Sequence, residues 1–161
     1  MNVINFDHIS SNQILPEVQE AMIAAIRQGY HNPSSQHTAG EKALEALEQA
    51  RSATAALINA GESKEVVFTS GGTESVNHAI KGVAQANADK GDHIVISNIE
   101  HNAVIRSVKR LKSQGFRVTS VSVDESGRVN PEDIAKAITD KTILVSVMHS
   151  NNETGTRQPI A

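Results

Sequence analysis

The chain has 161 residues, a net charge of −3 and 39% hydrophobic residues, room for one ordinary globular domain and a poor match to a basic nucleic-acid surface. It has no cysteine, which excludes disulfides, thiolate metal ligation and a thiol nucleophile within these residues. Aromatic residues are 2%, too few for a stacking platform, and no apolar run approaches the ~20 residues that span a bilayer.

Residues 1–10 (MNVINFDHIS) carry neither a basic n-region nor an apolar h-region. No signal peptide is expected, and the expected location is cytoplasmic, with no membrane partner. Pro16 opens a helix whose apolar face is Val18, Met22 and Ile26 and which Gly29 stops. Residues 30–38 (YHNPSSQHT) read as a loop. Helical spacing resumes near Gly40 with Ala43, Leu44, Leu47, Ala50, Ala53 and Leu57, and ends near Gly61. Residues 65–69 (EVVFT) read as a strand, residues 70–73 (SGGT) as a turn, and Val76, Ala79, Ile80 and Val83 as a helix running toward Gly91. A strand at 93–97 (HIVIS) precedes a helix marked by Val104, Ile105, Val108 and Leu111 and closed by Gly115. Residues 116–123 alternate as a strand, residues 124–127 turn, and Asn130-Pro131-Glu132-Asp133 starts a helix with Asn as cap. Residues 142–148 (TILVSVM) read as a strand buried on both faces, and the rest as loop. Strands separated by helices predict a three-layer α/β fold: a mainly parallel sheet with helices on both faces.

In such sheets ligands sit beyond the carboxyl ends of the strands, which picks out residues 70–74, 98–102 and 149–155. The Gly71-Gly72 turn brings backbone amides to a helix start, with Ser70 and Thr73 adding hydroxyls, in outline a phosphate cradle. The same residues also make a plain strand-to-helix turn capped by Thr73, and the sequence does not choose. His101 stands where it can face the cleft or merely solvent. Residues 149–155 (HSNNETG) offer either ligand donors or an Asx-rich turn. No metal is expected: His31 and His37 lack further ligands at suitable spacing. His8, His78 and His93 read as surface or helix-face residues, and the glutamates at 41, 45 and 48 as a solvated face.

Taken in register, the stretches 31–35 (HNPSS) with His37, 67–75 (VFTSGGTES), 100–104 (EHNAV) and 151–155 (NNETG) resemble the N-terminal part of the class V aminotransferase superfamily, most closely NifS/IscS-type cysteine desulfurases. The resemblance implies the large domain of pyridoxal-phosphate fold type I, with residues 1–15 an N-terminal arm and substrate loop and 16–161 an incomplete cofactor-binding domain. It implies pyridoxal 5'-phosphate as cofactor, its phosphate at Gly72 and Thr73. His101 matches the histidine that stacks on the ring and assists proton transfer, and Asn152 the asparagine that bonds the phenolic oxygen. Asn32, Ser34 and Ser35 match a segment near the substrate mouth and dimer interface.

The implied reaction takes sulfur from L-cysteine, giving L-alanine and a persulfide. Alternatives are a class V aminotransferase or carbon–sulfur lyase acting on another amino acid, or a non-catalytic subunit that keeps the fold. One departure concerns the first loop: relatives carry an Asn-Ala-Ala-Thr-Thr run, whereas Asp7 here is followed by His8-Ile9-Ser10-Ser11-Asn12. No lysine stands in a Ser-x-His-Lys context, and the relatives' nucleophilic cysteine has no counterpart. The chain alone is therefore expected to be inactive, completed in a homodimer of the full enzyme or by a second polypeptide supplying the C-terminal half.

Overall fold

A computed structural model describes residues 4, 8, 12–29 and 31–160. Of the first loop, Asp7, Ile9, Ser10 and Ser11 lie outside the described residues, as does Tyr30. The chain divides into two units, Met1–Phe68 and Thr69–Ala161.

In the first unit, α1 (Pro16–Gln28) starts on Pro16 and carries Glu17 in its first turn and Arg27 in its last, the charge order that suits the helix dipole. Its apolar stripe of Val18, Met22 and Ile26 remains exposed. Helix α2 (Thr38–Leu57) is capped by His37, whose Nδ1 accepts from Gly40 N at 3.1 Å. Gly40 is buried because a Cβ there would collide with the Ser35 carbonyl, so only glycine lets the 32–35 loop lie on this helix start. The helix stops four residues before Gly61. Asn59, at φ 55°, takes the left-handed position, Asn59 N donates to Ala56 O and Ala60 N to Ala55 O. Asn tolerates that conformation, so the glycine is not needed as the stop.

Residues 65–69 are not a strand. A single 3-10 turn, Ser63–Glu65, leads into extended backbone that pairs with no other strand among the described residues, and Val67 and Phe68 are exposed. β-branched and aromatic residues favour extended backbone, but a strand needs a neighbour for its hydrogen bonds. Arg51 holds the segment instead: its guanidinium donates to Val66 O, lies 5.2 Å from the Phe68 ring centre and pairs with Glu48 at 3.0 Å.

The second unit is the expected three-layer fold. Its elements are α3 (Gly72–Ala86), β1 (His93–Ser97), α4 (Asn102–Lys112), β2 (Arg117–Val121), α5 (Pro131–Ala137) and β3 (Thr142–Ser146). The sheet is parallel throughout, in order β2-β1-β3. Ile94 and Ile96 pack with Ile80 and Ala84 of α3 and Val104, Val108 and Leu111 of α4. Val95, pointing the other way as strand period requires, packs with Val121, Val129 and Ile134 and Ala137 of α5. Asn130 caps α5, its Oδ1 accepting from Glu132 N at 3.0 Å. The 124–127 turn forms as expected: Asp124 Oδ1 accepts from Ser126 N, Ser126 Oγ and Arg128 N, and Gly127 takes φ 78°.

Two expectations change. The strand buried on both faces is β1, all five residues of which are buried, and not β3, where Val145 is 40% exposed. The central position decides this: β1 has a strand on either side, whereas among the described residues β3 pairs with β1 alone. His93, expected at the surface, is 4% exposed. Its Nδ1 lies 2.7 Å from Thr142 Oγ1 and its Nε2 2.8 Å from Thr119 Oγ1, so one ring links all three strands. No described helix is long and apolar enough to cross a membrane.

The ring's two bonds generate a prediction. His93→Leu fills the space but removes both ring bonds, leaving Thr119 Oγ1 without its ring partner and Thr142 Oγ1 with only its local Thr139 partners. It should lower unfolding free energy by about 1–3 kcal/mol, read as a lower urea midpoint at unchanged slope.

Candidate functional site

Helices α3 and α5 each lead into the amino end of a strand, while α4 leaves the carboxyl end of β1. All three pack on the sheet, so the starts of α3 and α4 and the exit of β3 share the carboxyl end of the sheet. That end carries residues 70–74, 98–102 and 147–155. Asn32, Ser34 and Ser35 belong to the first unit.

Thr73 is not the helix cap. Gly71 holds that position without any side-chain cap, and the backbone N–H groups of Gly72, Thr73 and Glu74 meet no acceptor among the described residues. The Thr73 hydroxyl is likewise unspent, and a Cβ built on Gly71 or Gly72 meets nothing within 4 Å. Open space in front of unpaired donors at the positive end of a fifteen-residue helix is what an anion requires. Ser70 does not join the set: its amide and hydroxyl donate to Glu74 Oε2 at 2.7 and 2.6 Å. Those bonds hold the Glu74 carboxyl below the ordinary glutamate range, the hydroxyl contributing most.

His101 caps α4. Its Nδ1 accepts from Ala103 N at 3.1 Å, which assigns the ring proton to Nε2. The residue is exposed, so Nε2–H is presented outward as a donor. The two asparagines after β3 divide the work that the sequence left open. Asn151 builds the Asx turn: its Oδ1 accepts from Glu153 N and Thr154 N, both at 2.9 Å, and its Nδ2 donates to Ile99 O at 3.1 Å. Asn152 is exposed, and its amide makes no hydrogen bond among the described residues.

In the 32–35 loop, Asn32 Oδ1 accepts from Ser34 N at 2.9 Å and Asn32 O from Ser35 N at 3.0 Å. Asn32 therefore shapes the turn around Pro33, and Ser34 stays exposed. The His31 and His37 rings meet edge to face with centres 6.3 Å apart, and no group of three or more potential metal ligands exists among the described residues.

Sequence reasoning missed Glu100 and Asn151 as the residues that join two of these loops. Glu100 is buried and accepts from Ser97 Oγ at 2.6 Å and Met148 N at 2.7 Å. The available signal was a polar pair, Ser97 and Glu100, closing an otherwise apolar strand.

Residues 4–161 match the model of the family described as aminotransferase class-V. The chain is 45% identical over 157 residues to a cysteine desulfurase IscS of Clostridium botulinum, covering 98% of this chain and 39% of that protein. It is 48% identical over 155 residues to cysteine desulfurase IscS 1 of Archaeoglobus fulgidus, covering 96% and 40%. Among solved structures it is similar to a NifS-like protein at TM-score 0.90 and 38% identity, covering 96% of this chain and 42% of that one. It is also similar to SspA in complex with cysteine at TM-score 0.89 and 39% identity, covering 96% and 44%. The chain thus spans about 40% of the length of these relatives.

Two outcomes follow from the geometry. Because the folded Glu74 is the stronger acid, its contribution to the α3 start is full above the unfolded glutamate value and is lost as pH falls through the lowered folded value. In a carboxyl NMR titration Ser70→Ala should raise Glu74 most of the way toward the ordinary range, the residue-70 amide bond remaining; an unmoved titration would rule out the hydroxyl as cause. Imidazole nitrogen shifts should report neutral His101 as the Nε2–H form, and the Nδ1–H form would contradict the cap.

Proposed function

The chain belongs to the class-V aminotransferase family, and from that premise we propose that it is the N-terminal portion of a pyridoxal-phosphate-dependent cysteine desulfurase acting on L-cysteine in the cytoplasm. The observation that carries this reading is the set of unspent groups at one end of the sheet. The Gly72 and Thr73 amides, the Thr73 hydroxyl, His101 Nε2–H and the Asn152 amide have no hydrogen-bond partner among the described residues. Their chemistry fits the cofactor: anion donors for a phosphate, a ring that can stack, and an amide donor for a phenolic oxygen. Gly72 and Thr73 would hold the phosphate, and His101 and Asn152 would contact the ring and its oxygen. When bound, pyridoxal 5'-phosphate supplies an electron sink for charge developing at the amino acid's α-carbon.

What the chain's own residues do there follows from their bonds. The phosphate-holding amides bind a group that does not change, so they supply uniform binding. His101, as posed, donates at Nε2. Taking up a second proton would place one on Nδ1 and release Ala103 N, so its part in proton transfer is coupled to the first turn of α4. Asn152 orients by donation while Asn151 keeps the turn rigid. These residues contain no cysteine, so the proposal takes the sulfur-accepting nucleophile from outside them, and, since no lysine here stands in a Ser-x-His-Lys context, the cofactor-binding lysine as well. The substrate reading is supported by the similar solved structure of SspA in complex with cysteine. A homodimer of the complete enzyme, with residues 32–35 near its interface, is part of the same proposal.

The test is a titration of the purified chain with pyridoxal phosphate followed by absorbance, beside thermal melting. Wild type should bind saturably. Thr73→Ala should weaken binding about five- to tenfold while stability stays within about 0.5 kcal/mol, since its hydroxyl makes no internal bond. In the complete assembly with L-cysteine, His101→Ala should lower turnover more than cofactor affinity. Unsaturable binding, or variants that lose stability but not affinity, would sink the proposal, and turnover of another amino acid in place of cysteine would move it to the transaminase or lyase reading.

A further inference from the structure

Glu100 directly precedes His101 and is 9% exposed, whereas His101 and Asn102 face solvent. A carboxylate withdrawn from water needs donors around it. Its donors come from two strand ends: Ser97 Oγ at 2.6 Å from β1, then Met148 N at 2.7 Å and Ser146 Oγ at 3.5 Å from β3. The β1–β3 ladder stops at the Ile96–Ser146 pair, so beyond it no strand pairing connects the two loops. Among the described residues the hydrogen bonds between them come from side chains, Glu100 from one side and Asn151 Nδ2 to Ile99 O from the other.

Resting on the reading above of His101 and Asn152 as cofactor contacts, we infer that Glu100 is a positioning residue: it fixes His101 relative to Asn152 and touches no ligand itself. The acceptor oxygen is what the role needs. A glutamine keeps one for Ser97 and Met148, and Ser146 Oγ can accept from its NH2 group. An aspartate is one methylene short of the far strand, and an alanine leaves Met148 N–H without its acceptor.

The experiment uses the full chain, nitrogen-labelled and without cofactor, and follows the His101 ring, the Asn152 side-chain amide and the Met148 backbone amide by NMR, beside melting. Val108→Ala serves as control because it opens the same core, at 4% exposure, without touching Glu100. Glu100→Gln should keep all three signals near wild type. Glu100→Ala should shift or broaden them and speed exchange at Met148 about tenfold, well beyond Val108→Ala. Should Glu100→Ala not fold, Glu100→Asp carries the same expectation. Wild-type signals in both Glu100→Asp and Glu100→Ala, or equal disturbance in Val108→Ala, would overturn the inference. With pyridoxal phosphate added, Glu100→Ala should bind about tenfold more weakly and Glu100→Gln nearly as wild type. Failure of wild type to bind overturns the function proposed above but leaves the cofactor-free NMR result to decide the role of Glu100.

Discussion

One buried carboxylate governs the end of the sheet where the chemistry is proposed. A parallel ladder aligns strands only as far as its last pair, and the chain beyond must be held by something else. Here Glu100 accepts from the ends of β1 and β3 at once. The cost of leaving a carboxylate without donors in that position makes the alternative loop arrangements expensive. His101 and Asn152 inherit their placement from it, and neither spends its own ligand-facing group on the fold.

The helix starts divide along the same line. Asn130 closes α5 by accepting from Glu132 N, and His101 closes α4 through Nδ1 while leaving Nε2 outward. At α3 the cap is Gly71, which has no side chain to give, and the amides of Gly72 and Thr73 stay open. Glu74 turns back to Ser70 and away from those amides. A glycine at a helix start gives up only about a few tenths of a kcal/mol relative to a side-chain cap, and it leaves the first amides open.

The opposite end of the sheet is built for rigidity. His93 ties β2 and β3 to β1 through two threonine hydroxyls, and Arg117 pairs with Asp92 in two-pronged fashion across the same end. A surface ion pair of that kind adds little, whereas the buried ring satisfies groups that have no access to water. The lowered Asp92 carboxyl follows from the Arg117 guanidinium beside it.

The order of helices and strands was legible because it rests on local chemistry. Pro16 and Asn130-Pro131 open helices, HIVIS reads as a strand, and Gly127 permits a turn that few residues could make. The loops that carry the family resemblance were legible for the same reason, as short runs of polar residues after apolar ones. Tertiary structure alone decided the rest. Among the described residues, 65–69 have strand composition but no pairing partner, β3 is apolar but pairs on one side, and His93 is polar but is buried on the central strand with a bond to each neighbour. Composition cannot report these outcomes, because a strand's burial and a polar group's satisfaction depend on which distant residues arrive beside it. Composition does not separate Asn151 from Asn152; the turn amides and the arrival of Ile99 O give the first its structural partners, whereas the second has none among the described residues.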